Sequence, residues 1–138
     1  MTDPHLDPTA FIRTAMPLCD TLGITATTLT PELVELSMTS SEALCTSNQL
    51  LHGGALMALA DSAGGAAAFL NLAEDATGTS TIESKTNFLG AVVDGTVTAT
   101  ATPLHLGSTT MVIETEIRHG SRLVAKVTQT QAVLRART

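Results

Sequence analysis

Residues 48–72 read NQLLHGGALMALADSAGGAAAFLNL, and from Gly53 onward this stretch decides how the chain folds. Between Gly53 and Leu72 nearly every residue is apolar or small, Asp61 is the one ionisable group, and no residue is β-branched. Such a composition favours helix over strand. The length reaches the lower limit for a membrane span. Gly and Ala dominate it, however, an Asp sits at its middle, and alternating runs flank it, so the expectation is the buried helix of a soluble protein. Small side chains along a helix let neighbouring chain come close, so a sheet is expected to wrap it tightly.

The flanks supply that sheet. After a turn at Asp75–Gly78, runs rich in Thr, Val and Ile cover residues 79–89, 96–106, 109–117 and 122–134. They are punctuated by Asp94-Gly95, Gly107-Ser108 and His119-Gly120-Ser121, and read as four consecutive antiparallel strands. Upstream, residues 24–30 and 33–39 read as a hairpin about Thr30-Pro31-Glu32, and residues 40–51 as a loop. Residues 9–22 carry a short helical pattern that Pro17 bends or divides, and residues 1–8 read as a loose arm. The expected fold class is α+β: one long central helix and about six antiparallel strands, with the 138 residues forming a single domain.

Composition narrows the function. Seven basic against 13 acidic residues give a net charge of −6, and aromatics are 2% of the chain. A nucleic-acid binder needs a basic face and stacking platforms, so that class is excluded. Cys19 and Cys45 have no metal-ligand spacing, and His5, His52, His105 and His119 are scattered, so no metal site is expected. No GxSxG elbow is present. The first ten residues have neither a basic nor an apolar signal-peptide region, and the cytoplasm is the expected compartment.

Two features carry chemistry. A lone carboxylate on an apolar helix is costly unless paired or hydrogen-bonded, so Asp61 is either a cap for neighbouring backbone or a functional acid. His52-Gly53-Gly54 leads into the helix, where unpaired N–H groups can polarise a carbonyl; as a tripeptide alone it reads as a tight turn with a capping role. Gly53 and Asp61 are eight residues apart, about 12 Å along a helix axis. They cannot both touch one small reacting group, so a site using both draws them from two subunits.

The order of loop, HGG, small-residue helix with an acid nine residues after the His, then antiparallel strands, resembles the hotdog-fold thioesterases. Within them, LLHGGALMALADSAGG and the later TPLHLGSTT resemble the phenylacetate-degradation type and the 1,4-dihydroxy-2-naphthoyl-CoA branch, relatives of the 4-hydroxybenzoyl-CoA thioesterases, over residues 20–135. The resemblance implies an acyl-CoA thioesterase acting on a small aromatic acyl group, with Asp61 as nucleophile or general base and the Gly53 N–H polarising the carbonyl. It matches Thr81 to a position that helps hold the water, and His52, which orients the turn or contacts a ligand, is counted with them as catalytic. It places Asn48, Gly54, Gly65 and Phe88 around the substrate, and Gly107, Ser108 and Thr109 beside the pantetheine arm. It implies a homodimer, and a tetramer as a dimer of dimers, with no cofactor beyond the coenzyme A of the substrate, no nucleic acid and no membrane. Thr46 stands where the family usually carries Asn or Gln six residues before the His, and Asp61 where the naphthoyl branch usually has Glu. Two other readings stay open: a non-catalytic acyl-CoA-binding hotdog module, and a hotdog hydratase or dehydratase.

Overall fold

The computed structural model describes residues 7–137; most of the expected N-terminal arm, and His5, lie outside them. The first helical pattern divides at its proline. Helix α1 spans Pro8–Ala15 and α2 spans Pro17–Thr21, with Met16 extended between them (φ −128°, ψ 91°). Pro17 has no N–H to continue the first helix, and a residue before proline disfavours helical backbone. Asp7 caps α1, its Oδ2 accepting from the Ala10 N–H at 3.1 Å.

The hairpin is present as β1 (Thr25–Leu29) and β2 (Val34–Thr39), followed by a loop with one 3₁₀ turn at Glu42–Leu44. Helix α3 runs Gly53–Leu70, and β3 (Ala76–Phe88), β4 (Thr96–Leu106), β5 (Thr110–His119) and β6 (Arg122–Arg135) follow. All adjacent strands are antiparallel, in the order β1-β2-β4-β5-β6-β3. Four consecutive strands would put β3 beside β4; instead β3 lies at the far edge, beside β6, and only β4, β5 and β6 form a meander. The connection after β3 returns past two strands and is fastened on the way. The Leu51 N–H donates to the Val92 carbonyl at 2.8 Å, and Arg122 Nη2 to the Ala91 carbonyl at 2.6 Å.

Helix α3 touches every strand of the sheet. Leu56, Leu59, Ala60, Ala63 and Ala67 are buried on it, and Leu36, Met38, Val97, Ile113 and Val127 are buried on the strands. The helix is long and apolar enough to cross a membrane by length and composition, yet half of it is buried in the fold, as the core helix. Its C-terminal end is clasped to the first hairpin, because Asn71 Nδ2 donates to the carbonyls of Ala67 (2.8 Å) and Pro31 (2.7 Å).

Strand β3 carries a bulge. Thr81 pairs with Gln131 and Glu83 with Thr130, so Ile82 is an extra residue without a partner. Before the bulge, Thr79 and Thr81 face the helix side with Val133 and Gln131. After it the alternation reverses, and Thr86 and Phe88 face that side with Val127 and Ala125. A bulge of this kind re-aims side chains.

Candidate active site

Asp61 lies on the side of α3 turned toward β3, and in the single chain it is exposed rather than buried. Asp61 is therefore not the buried carboxylate that the apolar composition of the helix leads one to expect. The helix buries Leu59, Ala60 and Ala63 against the sheet, and position 61 falls on the flank between them. The carboxylate is nonetheless held. Its Oδ1 accepts from the Thr81 hydroxyl and from Gln129 Nε2, each at 2.9 Å. Gln131 Nε2 donates to Thr81 Oγ1 at 2.7 Å and to Gln129 Oε1 at 3.2 Å. Both glutamines are buried (0% and 1% exposed) in a strand face otherwise filled by Ala125 and Val127.

Asp61, Thr81 and Gly65 line one cavity of about 520 Å³. Its other walls include Phe11 and Met16 from the N-terminal segment, Leu29 from β1, and Phe69 from α3. Asp61 is the one titratable residue in that lining. A carboxylate anchored at the mouth of an apolar chamber can act on an acyl compound whose hydrocarbon part occupies the chamber.

The HGG segment lies elsewhere. His52 is the N-cap of α3, and its Nδ1 accepts from the Gly54 N–H at 2.7 Å, which assigns the neutral ring's proton to Nε2. His52 and Gly54 line a smaller cavity of about 310 Å³ with Cys45, Leu18 and Leu22. Gly53 meets Phe88: a Cβ at Gly53 would lie 3.0 Å from Cζ of that ring, so a side chain there would displace it. Phe88 thus sits over the helix start, away from the Asp61 cavity. Among the described residues the Gly53 N–H has no acceptor, as expected for the first turn of a helix.

Asn48 belongs to a turn closed by the Thr46 N–H to the Leu50 carbonyl (2.7 Å), with Gln49 at a positive φ of 61°. The Asn48 N–H donates to Thr46 Oγ1 at 3.2 Å. Gly107, Ser108 and Thr109 form the β4–β5 turn. The Thr109 carbonyl accepts from the Val133 N–H at 2.9 Å, and Arg135 donates to the Ser108 carbonyl while pairing with Asp75 at 2.9 Å. Within one chain, then, Asp61, Thr81 and Gly65 come together, whereas the HGG segment, Phe88, Asn48 and the β4–β5 turn do not join them. Gln129 and Gln131 were not expected. Their signal in the sequence is two amides at alternate positions of a strand, on the parity that otherwise carries Ala125, Val127 and Val133.

A long central helix wrapped by a six-stranded antiparallel sheet defines a hotdog fold. Residues 48–126 match the family described as the thioesterase superfamily, and the chain belongs to it. A thioesterase family protein from Silicibacter pomeroyi is similar in structure, with a TM-score of 0.83 and 32% identity over 94% of this chain and 97% of that one. A thioesterase of Haemophilus influenzae superposes with a TM-score of 0.86 at 26% identity, covering 94% of this chain and 92% of that one. In sequence, a Vibrio cholerae protein that carries the name of an esterase is 40% identical over 89 residues, which are 64% of this chain and 59% of that protein. The chain spans about half to three fifths of the length of the curated relatives it matches.

Proposed function

We propose that this protein hydrolyses an acyl-CoA thioester to the free acid and coenzyme A, in the manner of the phenylacetate-degradation type. The observation that carries the reading is the anchored carboxylate of Asp61 at the mouth of the apolar cavity. In the general-base route Asp61 takes a proton from water while the water oxygen adds to the thioester carbonyl carbon. The resulting oxyanion is held by the Gly53 N–H at a helix N-terminus. Its collapse expels the coenzyme A thiolate, which takes the proton back. In the nucleophilic route a carboxylate oxygen adds instead and expels the thiolate. Water then cleaves the mixed anhydride. Neither route calls for a metal or a further cofactor, and a cytoplasmic location supplies acyl-CoA directly.

On this reading Gly53 comes from a second copy, which is supported by its separation of about 12 Å along the helix from Asp61 and by its absence from the lining of the Asp61 cavity. The surface supports a dimer. Strand β3 is an open edge paired only with β6, and Ile82 (61% exposed) and Met57 (38% exposed) present apolar surface on β3 and on the free flank of α3.

The test is thiol release from a panel of aromatic and aliphatic acyl-CoAs by wild type, Asp61→Asn and Asp61→Ala, at equal concentrations of folded protein. Turnover by wild type that both variants lose supports the reading. Acyl-CoA binding with no turnover of any member turns the protein into a binding module instead. Mixing Gly53 and Asp61 variants, each inactive, is expected to restore part of the activity through hybrid dimers.

A further inference from the structure

Every donor in the network around Asp61 points the same way. Gln131 donates to Thr81 and to the Gln129 carbonyl oxygen; Thr81 and Gln129 then donate to Oδ1 of Asp61. Oδ2 accepts from no donor among the described residues. A buried amide on an apolar strand face costs free energy unless its hydrogen bonds are made, and here they are made to each other and to the carboxylate.

The helix is cut to admit one of these amides. A Cβ at Gly64 would lie 2.0 Å from Oε1 of Gln129 and 2.5 Å from its Cδ. Gly64 is buried, with the fixed backbone of α3 beneath it. Glycine in a helix interior is less favourable than alanine, and at this position it leaves the volume that the Gln129 amide fills. A Cβ at the neighbouring Gly65 would meet nothing within 4 Å, so that glycine carries no such constraint. Gln129 and Gln131 also lie beyond the residues matched to the family, 48–126.

We propose that Gln129, admitted by Gly64 and oriented by Gln131, is a positioning residue: with Thr81 it fixes Asp61 through Oδ1, so that Oδ2 is the oxygen that meets the reacting group. This inference rests on the reading of Asp61 as the reacting carboxylate. Misplacing a reacting group by about 1 Å can cost on the order of 100-fold in rate, so the loss of one of two anchors is expected to appear in kcat.

The experiment compares wild type, Asp61→Asn, Gln129→Leu, Gln129→Met, Gln129→Glu and Gly64→Ala, on the acyl-CoA that wild type turns over fastest. Folded dimer is quantified for each. Gln129→Leu keeps the volume and removes the donor; kcat is expected to fall at least tenfold with KM within about twofold. Gly64→Ala, which leaves Gln129 in place but displaces its amide, is expected to do the same. Gln129→Glu puts two carboxyl groups in contact, which share one proton at low pH and repel when both ionise. With Asp61 the one titratable residue lining the cavity, its rate relative to wild type is expected to rise as pH falls and to pass that of Gln129→Met, an apolar side chain of similar size, because the protonated carboxyl donates to Oδ1; relief of repulsion alone would bring it only to the Gln129→Met rate. Should Gln129→Leu or Gly64→Ala fail to fold, this pH profile carries the test. Wild-type kcat in Gln129→Leu, alongside an inactive Asp61→Asn, would overturn the proposal while leaving the thioesterase reading intact. Full activity of Asp61→Asn, or no turnover of any acyl-CoA, would remove the reading beneath it.

Discussion

Thr81→Val is the sharpest single test of how the carboxylate is held. The substitution keeps the shape of the side chain and removes one hydroxyl. That hydroxyl donates to Asp61 Oδ1 at 2.9 Å and accepts from Gln131 Nε2 at 2.7 Å. A hydrogen bond to a charged acceptor contributes roughly 1.5–3 kcal/mol. Gln129 still holds Oδ1, and Asp61 is exposed, so the lower end applies to stability. Gln131 keeps its longer bond to Gln129 at 3.2 Å and loses its shorter one. We therefore expect a loss of about 1–2 kcal/mol, a fall in melting temperature of about 3–7 °C for a chain of this size. The larger effect is expected in kcat, which should drop roughly tenfold, equivalent to about 1.4 kcal/mol of barrier, while KM changes little. Thr81→Ser, which restores the hydroxyl, should recover most of the rate. Steady-state thiol release together with thermal unfolding measures both quantities. Unchanged kcat in Thr81→Val would refute the anchoring role, and equal losses in the Val and Ser variants would refute the hydroxyl as the cause.

Leu59, fully buried on α3, is expected to cost about 2–5 kcal/mol when changed to Ala, measured by denaturant unfolding. Ile82→Lys places a charge at the bulge of the open β3 edge; sedimentation should show dissociation to monomers, with activity falling in parallel. Asp75, hydrogen-bonded to and paired with Arg135, has its carboxyl held below the usual range, and Glu116 is likewise lowered beside Arg118. A carboxyl lowered in the folded state adds stability above its unfolded pKa, and that stability is lost as pH falls through the folded value. Acid unfolding of Arg135→Ala should accordingly lack part of the decline below about pH 4 that wild type shows.

Much of the fold is legible in the residues. The absence of β-branched residues between Gly53 and Leu72 marks α3, and the strand bounds follow from Thr, Val and Ile runs ended by Gly-containing turns. Strand neighbours are less legible: periodicity marks residues 79–89 as a strand, missing that it already begins at Ala76 within the expected Asp75–Gly78 turn, and says nothing of which edge it joins. The site shows the same division. Asp61 stands out by its charge, whereas its partners depend on tertiary geometry. Thr81 and Phe88 are seven residues apart and would face opposite ways in a regular strand; only the extra residue Ile82 turns both toward the helix. The small residues of α3 do mark a close approach, but at Gly64 what approaches is the amide of Gln129 rather than backbone.

The placement of β3 at the far edge also bears on how the protein becomes active. Its partners in β6 are remote in sequence, from 37 residues away (Phe88 with Ala125) to 59 (Ala76 with Arg135). Pairing across such distances closes large loops and slows folding relative to local contacts. Thr81 is on β3 and both glutamines are on β6, so Asp61 acquires its anchors only when this pairing forms. During synthesis α3 and its carboxylate emerge well before β6. The network around Asp61 is therefore expected among the last features to form, and, if the proposed function holds, a refolding time course should show helical signal returning before thiol-releasing activity.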